Sequence, residues 1–117
     1  RDGPARPMEH TMAWTYLLVA GLLEVLWAFA MKKSAGFTVL GPTILTFVAM
    51  IASFALLSIA MRSLPLGTAY AVWTGIGAAG AFLAGAAFMG EALTPMRVVA
   101  ALLILSGIVL MKFSGGE

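Results

Sequence analysis

Four long apolar stretches, joined by short polar connections, leave this chain few ways to fold. They run from about Met12 to Met31, Val39 to Met61, Thr68 to Met89 and Pro95 to Met111. A helix needs about 20 mostly apolar residues to cross the hydrocarbon core of a bilayer. The fourth stretch is the shortest, and Lys112 stands at its end, where a long cationic side chain can snorkel to the interface. Membrane β-strands would be short alternating segments, which these runs are not. The expected class is therefore an all-α integral membrane protein with four transmembrane helices in one domain, 12–113. Residues 1–11, polar and containing two prolines, read as a disordered or foreign extension, and residues 114–117 as a short tail. Arg1, Arg6 and the Ala28-Phe29-Ala30 step lend some support to a cleaved signal segment. Glu24 and Trp27 inside the run, and its length, argue against one.

Composition closes off the other classes. Charged residues make up 10% of the chain and hydrophobic ones 62%, whereas a soluble domain carries about 25% charged residues. A water-facing fold, a disordered chain and a nucleic-acid-binding module are excluded. The net charge of +2 comes from few groups, so there is no basic patch. With no Cys and a single His, His10, there is no thiolate chemistry and no metal cluster of the usual kind. Neither a nucleophile–base pair nor a cofactor motif is present, so an enzyme is not expected.

The connections carry helix-end signals. Lys32 and Lys33 suit the negative end of the first helix dipole, with Gly36 as a breaker. The segment from Arg62 to Gly67 closes the second helix. Thr94 is placed as N-cap, and Pro95 as first residue, of the fourth. An even number of spans puts both termini on one side. That side holds Arg1, Arg6, Arg62 and Lys112, against Lys32, Lys33 and Arg97 on the other. Lys/Arg bias normally sets orientation. Here it is nearly nil, and its sign depends on the extension, so insertion in both orientations is open.

Glu24 lies mid-span in the first helix and is the one acidic or basic side chain well inside any span. Placing such a group at the bilayer centre costs about 2.5–3.5 kcal/mol on insertion scales. Helix–helix glue needs no ionisable group, since Ser or Asn would serve. Glu24 is therefore read as a proton- and cation-handling residue. One carboxylate among four short helices makes a poor cation site, so two copies, with two carboxylates titrating as a coupled unit, are the economical arrangement. If proton and organic cation compete for the same group, and only loaded states cross, proton entry drives cation exit.

Other residues gather around this reading. Gly21 and Trp27 are each three residues from Glu24 and share its face. Gly21 permits close helix approach, and Trp27 can donate its indole N–H to a carboxylate; as a lipid-facing aromatic it would do neither. In the third span Tyr70 and Trp73 share a face and offer a hydroxyl and π-faces to a cation. Gly75, Gly77 and Gly80 thin that helix for packing or for a bend. Ser53 in the second span can hydrogen-bond a carboxylate, with Thr46 and Ser58 as rivals. The fourth span has no internal charge and carries the small residues Ala100, Ala101, Ser106 and Gly107, so it is assigned to oligomerisation.

The string from Glu24 to Trp27, with the run from Gly67 to Gly77 opening the third helix, resembles the small multidrug resistance family. The resemblance spans nearly everything from Met12 to Phe113, and the Glu-x-x-Trp step is closest to the guanidinium-exporter branch. It implies an antiparallel, dual-topology dimer of four-helix subunits in the bacterial inner membrane, a two-piece inverted repeat. It also implies roles: Glu24 as the shared proton and substrate carboxylate, Trp27 and Ser53 as its orienters, and Tyr70 and Trp73 as lining. The dimer contact on the fourth helix is assigned to Ala100, Leu103, Ile104 and Gly107. Ala100 departs from the glycine that multidrug members tend to carry in this packing motif.

Guanidinium is planar, rich in N–H donors and pairs bidentately with carboxylates. A site of two carboxylates with fixed polar orienters suits guanidinium and its small singly substituted derivatives, exchanged for protons across the lipid bilayer. The alternative is a multidrug exporter of quaternary ammonium and other lipophilic cations. Further rivals are a heteromeric partner subunit, a rotary-motor proteolipid and a purely structural membrane protein, which would leave Glu24 unexplained.

Overall fold

The computed structural model describes residues 7–115, which form four helices and no strand. They are α1 (Pro7–Lys33), α2 (Leu40–Ala60), α3 (Leu66–Phe88) and α4 (Pro95–Gly115). Each is long and apolar enough to cross a membrane. α1 opens five residues before Met12, so residues 7–11 of the expected extension are helical. The rest of that extension, 1–6, lies outside the described residues, as do 116–117 of the tail. α4 continues past Met111 to Gly115, taking in the start of that tail.

The helix ends follow the local chemistry. Lys32 and Lys33 occupy the last turn of α1. Thr94 caps α4, its hydroxyl accepting the Arg97 backbone N–H at 3.2 Å, with Pro95 as the first helical residue. Between α1 and α2, Ala35, Gly36 and Phe37 all adopt positive φ. Buried Ser34 holds this turn, donating to the Met31 carbonyl and accepting the Phe37 N–H.

α1 packs on α2 and α3, and α3 in turn carries α4. The result is a slab of 46 × 35 × 18 Å. Its core joins Ala13, Leu17 and Ala20 of α1, Leu57 and Ala60 of α2, and Ala69, Val72 and Trp73 of α3. Small residues dominate because, among lipid tails that are as apolar as Leu, helices associate through close van der Waals contact. Glycines take this furthest. A Cβ on Gly21 would stand 2.6 Å from Ile76, and one on Gly80 would run into Val25. Both are sites of α1–α3 approach. Gly75 faces the other way, where a Cβ would lie 2.9 Å from Ile108 of α4. α3 is thus one continuous helix whose glycines serve as contact points on two sides. Among the described side chains of α4, residues 95–114, none is buried.

Candidate functional site

Glu24 sits in the middle of α1, on the face turned to α3. Its carboxyl lies over Gly77, where any Cβ would run into Oε1 and Cδ. Gly77 is buried, and its lack of a side chain makes room for the acid. Oε1 is itself buried and has no hydrogen-bond partner among the described residues. Trp27 Nε1, one turn further along α1, is in the same condition. An unsatisfied buried polar group costs about 1–3 kcal/mol. A buried acceptor and a buried donor are thus left without partners three residues apart on α1.

From Trp27 a series of rings leads to two of the other expected residues. Trp27 meets Phe54 of α2 edge-on, with ring centroids 6.4 Å apart. Phe54 meets Trp73 of α3 at 5.7 Å, and Trp73 meets Tyr70 at 5.6 Å. A continuous aromatic path therefore runs from α1 across α2 to α3. Trp73 is almost fully buried, whereas Tyr70 is half exposed on the outer side of the cluster. Phe54, the link in this path, was not expected from the sequence. One Phe in an apolar helix carries no signal until its neighbours are placed, although it adjoins Ser53.

Ser53 is fully buried and connects three helices. Its hydroxyl donates to the Ala20 carbonyl at 2.7 Å and accepts the Trp73 indole N–H at 3.0 Å. In an α-helix the carbonyl of residue 20 also receives the N–H of residue 24. Ser53 and Trp73 thus brace the turn of α1 that carries Glu24. Among its rivals, Thr46 spends its hydroxyl on the Pro42 carbonyl, and Ser58 is exposed.

Two expectations are corrected by this arrangement. Ser53 does not bond the Glu24 carboxylate, because its single proton goes to Ala20. Trp27 does not donate to Glu24, since the indole nitrogen and Oε1 each remain unpartnered. Gly21 lies against Ile76, supporting the site by helix approach instead of lining it. On α4, Ile104 lies partly inward, with Cγ2 3.3 Å from where a Cβ of Gly75 would stand, so part of this side chain serves contact within the chain. Ala100, Leu103 and Gly107 are exposed, and a Cβ on Gly107 would meet nothing within 4 Å. Among the described residues no group of three His, Cys, Asp or Glu side chains is close enough to hold a metal ion.

Comparison with known proteins adds an independent line. The family described as Small Multidrug Resistance protein matches residues 12–104. The chain is 55% identical over 103 residues to a guanidinium exporter of Citrobacter freundii, covering 88% of this chain and 98% of that protein. The same figures hold for a guanidinium exporter of Salmonella typhimurium. A guanidinium exporter of Escherichia coli K12 is 53% identical over the same coverage.

Proposed function

The chain belongs to the Small Multidrug Resistance family, and we propose that it is a proton-coupled antiporter exporting guanidinium and small singly substituted guanidinium ions. It is a multi-pass protein of the bacterial inner membrane, with four spanning helices. The observation that carries the reading is the mid-span pair of buried, unpartnered groups, Glu24 Oε1 and Trp27 Nε1. A carboxyl in that position can hold a proton or pair with a cation, but not both at once. Guanidinium fits the acid through a bidentate pair of N–H donors. Trp27 lies one turn from Glu24 and begins a ring series through Phe54 to Trp73, aromatic surfaces of the kind that attract a delocalised cation. Competition between proton and cation for Glu24 couples the two fluxes, as long as the unloaded site does not cross.

The reading includes an antiparallel homodimer. Three features support it: the near balance of Lys and Arg between the two sides, an α4 with no buried side chain over residues 95–114 and Ala100, Leu103 and Gly107 exposed, and a site that has one carboxyl per chain. A second copy would bring the second carboxyl.

The test is transport current in proteoliposomes of the purified chain, comparing guanidinium with a tetra-alkylammonium ion and using Glu24→Gln as control. Current with guanidinium, lost in the variant, is expected. Current carried mainly by the quaternary ion would replace guanidinium with lipophilic cations as substrate. Proton-driven transport by Glu24→Gln would remove Glu24 from the mechanism.

A further inference from the structure

A second feature, away from Glu24, has a chemistry of its own. Between α1, α3 and α4 lies an open cavity of about 390 Å³. Its polar end is formed by Trp14, Thr15 and Lys112, and its walls by Leu18, Ile76 and Ile108. The Lys112 ammonium stands over the Trp14 ring, 4.9 Å from its centroid. The Thr15 hydroxyl proton is already given to the Thr11 carbonyl at 3.1 Å. Lys112 therefore supplies the charge at the mouth.

Position decides what can fill such a groove. Trp14 lies near the start of the α1 span and Lys112 in the last turn of α4, so both mark one boundary of the membrane. Trp and Lys are the residue types that anchor at the headgroup level. From that boundary the apolar walls run inward along spanning helices. The occupant must be anionic at one end, where Lys112 waits, and apolar along the rest. A water-soluble anion satisfies the first requirement only, and a neutral hydrocarbon only the second.

We propose that this groove binds one anionic phospholipid, its phosphate against Lys112 and an acyl chain between Leu18, Ile76 and Ile108. The lipid would bridge α1 and α4, whose backbones make no direct contact and whose side chains meet at Trp14 and Lys112. The groove shares no lining side chain with the Glu24 site, although Lys112 also counts in the Lys and Arg balance and Ile76 packs on Gly21.

The experiment is native mass spectrometry of the purified full chain offered an equimolar mixture of phosphatidylglycerol and phosphatidylcholine with identical acyl chains. The wild type should retain phosphatidylglycerol about fivefold over phosphatidylcholine, the effect of one lysine near an anionic lipid surface. Lys112→Gln should bring the ratio to parity, and Lys112→Arg should keep it. Arg97→Gln, at the opposite boundary, should leave it unchanged. Leu18→Trp, on the exposed rim of the groove, should lower retention of both lipids. Equal retention of the two lipids by the wild type would overturn the proposal, as would an undiminished preference in Lys112→Gln. An equal loss in Arg97→Gln would reduce the effect to general surface charge. Loss of dimer together with lipid in Lys112→Gln would assign the groove to a second copy of the chain.

Discussion

Gly77→Ala separates the position of the Glu24 carboxyl from the stability of the helix that opposes it. A Cβ at residue 77 would overlap Oε1 and Cδ of Glu24 and stand 2.9 Å from Cγ, so the acid must rotate away. Holding a side chain about 30° off its rotamer costs roughly 0.5–1.5 kcal/mol. Replacing Gly by Ala inside a helix offsets this by about 0.8–1.0 kcal/mol. The net change in stability is therefore within about 1 kcal/mol, and the variant should fold. Cation binding has no such compensation. A charge-assisted hydrogen bond is worth about 1.5–3 kcal/mol, and at 1.4 kcal/mol per tenfold its misplacement weakens apparent guanidinium affinity by about 10- to 100-fold. The assay is the concentration dependence of guanidinium-evoked current in proteoliposomes, with thermal melting alongside. Gly67→Ala is the matched control, because a Cβ there meets nothing within 4 Å. Wild-type affinity in Gly77→Ala would refute the placement of the carboxyl. A large loss of melting temperature would refute the balance of rotamer cost against helix propensity.

Other substitutions probe the remaining parts of the site. Glu24→Gln keeps the volume and removes the exchangeable proton, so coupled transport should vanish while the circular dichroism spectrum stays helical. Trp27→Gly should lower the ratio of guanidinium to tetra-alkylammonium current, and an unchanged ratio would take Trp27 out of the site. Ser53→Ala leaves the Trp73 indole N–H buried without an acceptor, which should destabilise the protein by about 1–3 kcal/mol; an unaltered melt would show that the three-helix brace contributes nothing. Gly21→Leu forces a side chain into Ile76, closer than van der Waals contact permits, and should cost about 1–3 kcal/mol by overpacking, read in the same melting assay.

The parts of the molecule set by local chemistry were legible in the sequence. Hydropathy over about 20 residues marked all four spans. Thr94-Pro95 marked the start of α4, and the charge of Glu24 marked the middle of α1. The helix ends were less legible. α1 begins at Pro7 and α4 runs to Gly115 because hydropathy reports where a helix is apolar, not where its hydrogen bonding stops. The candidate residues were legible one by one, and their bonds were not. Trp27, Trp73 and Tyr70 lie along one aromatic series, but Phe54 supplies the link between the two tryptophans, Ser53 pairs with Ala20 and Trp73, and Glu24 lies over Gly77.

The difference has one physical cause. In a soluble helix the polar face points outward, so periodicity alone tells which residues meet. In a membrane span both the lipid side and the protein side are apolar, and the pattern has no direction. The number of spans, the membrane setting and the one acidic or basic side chain well inside a span follow from the residues alone, because each depends on the cost of placing a residue in hydrocarbon. That Gly77 faces Glu24 while Gly75 faces Ile108, and that the Ser53 hydroxyl goes to a backbone carbonyl, comes from the packing of the helices. Those choices depend on the rotation of each helix about its own axis, which close packing sets and hydropathy does not.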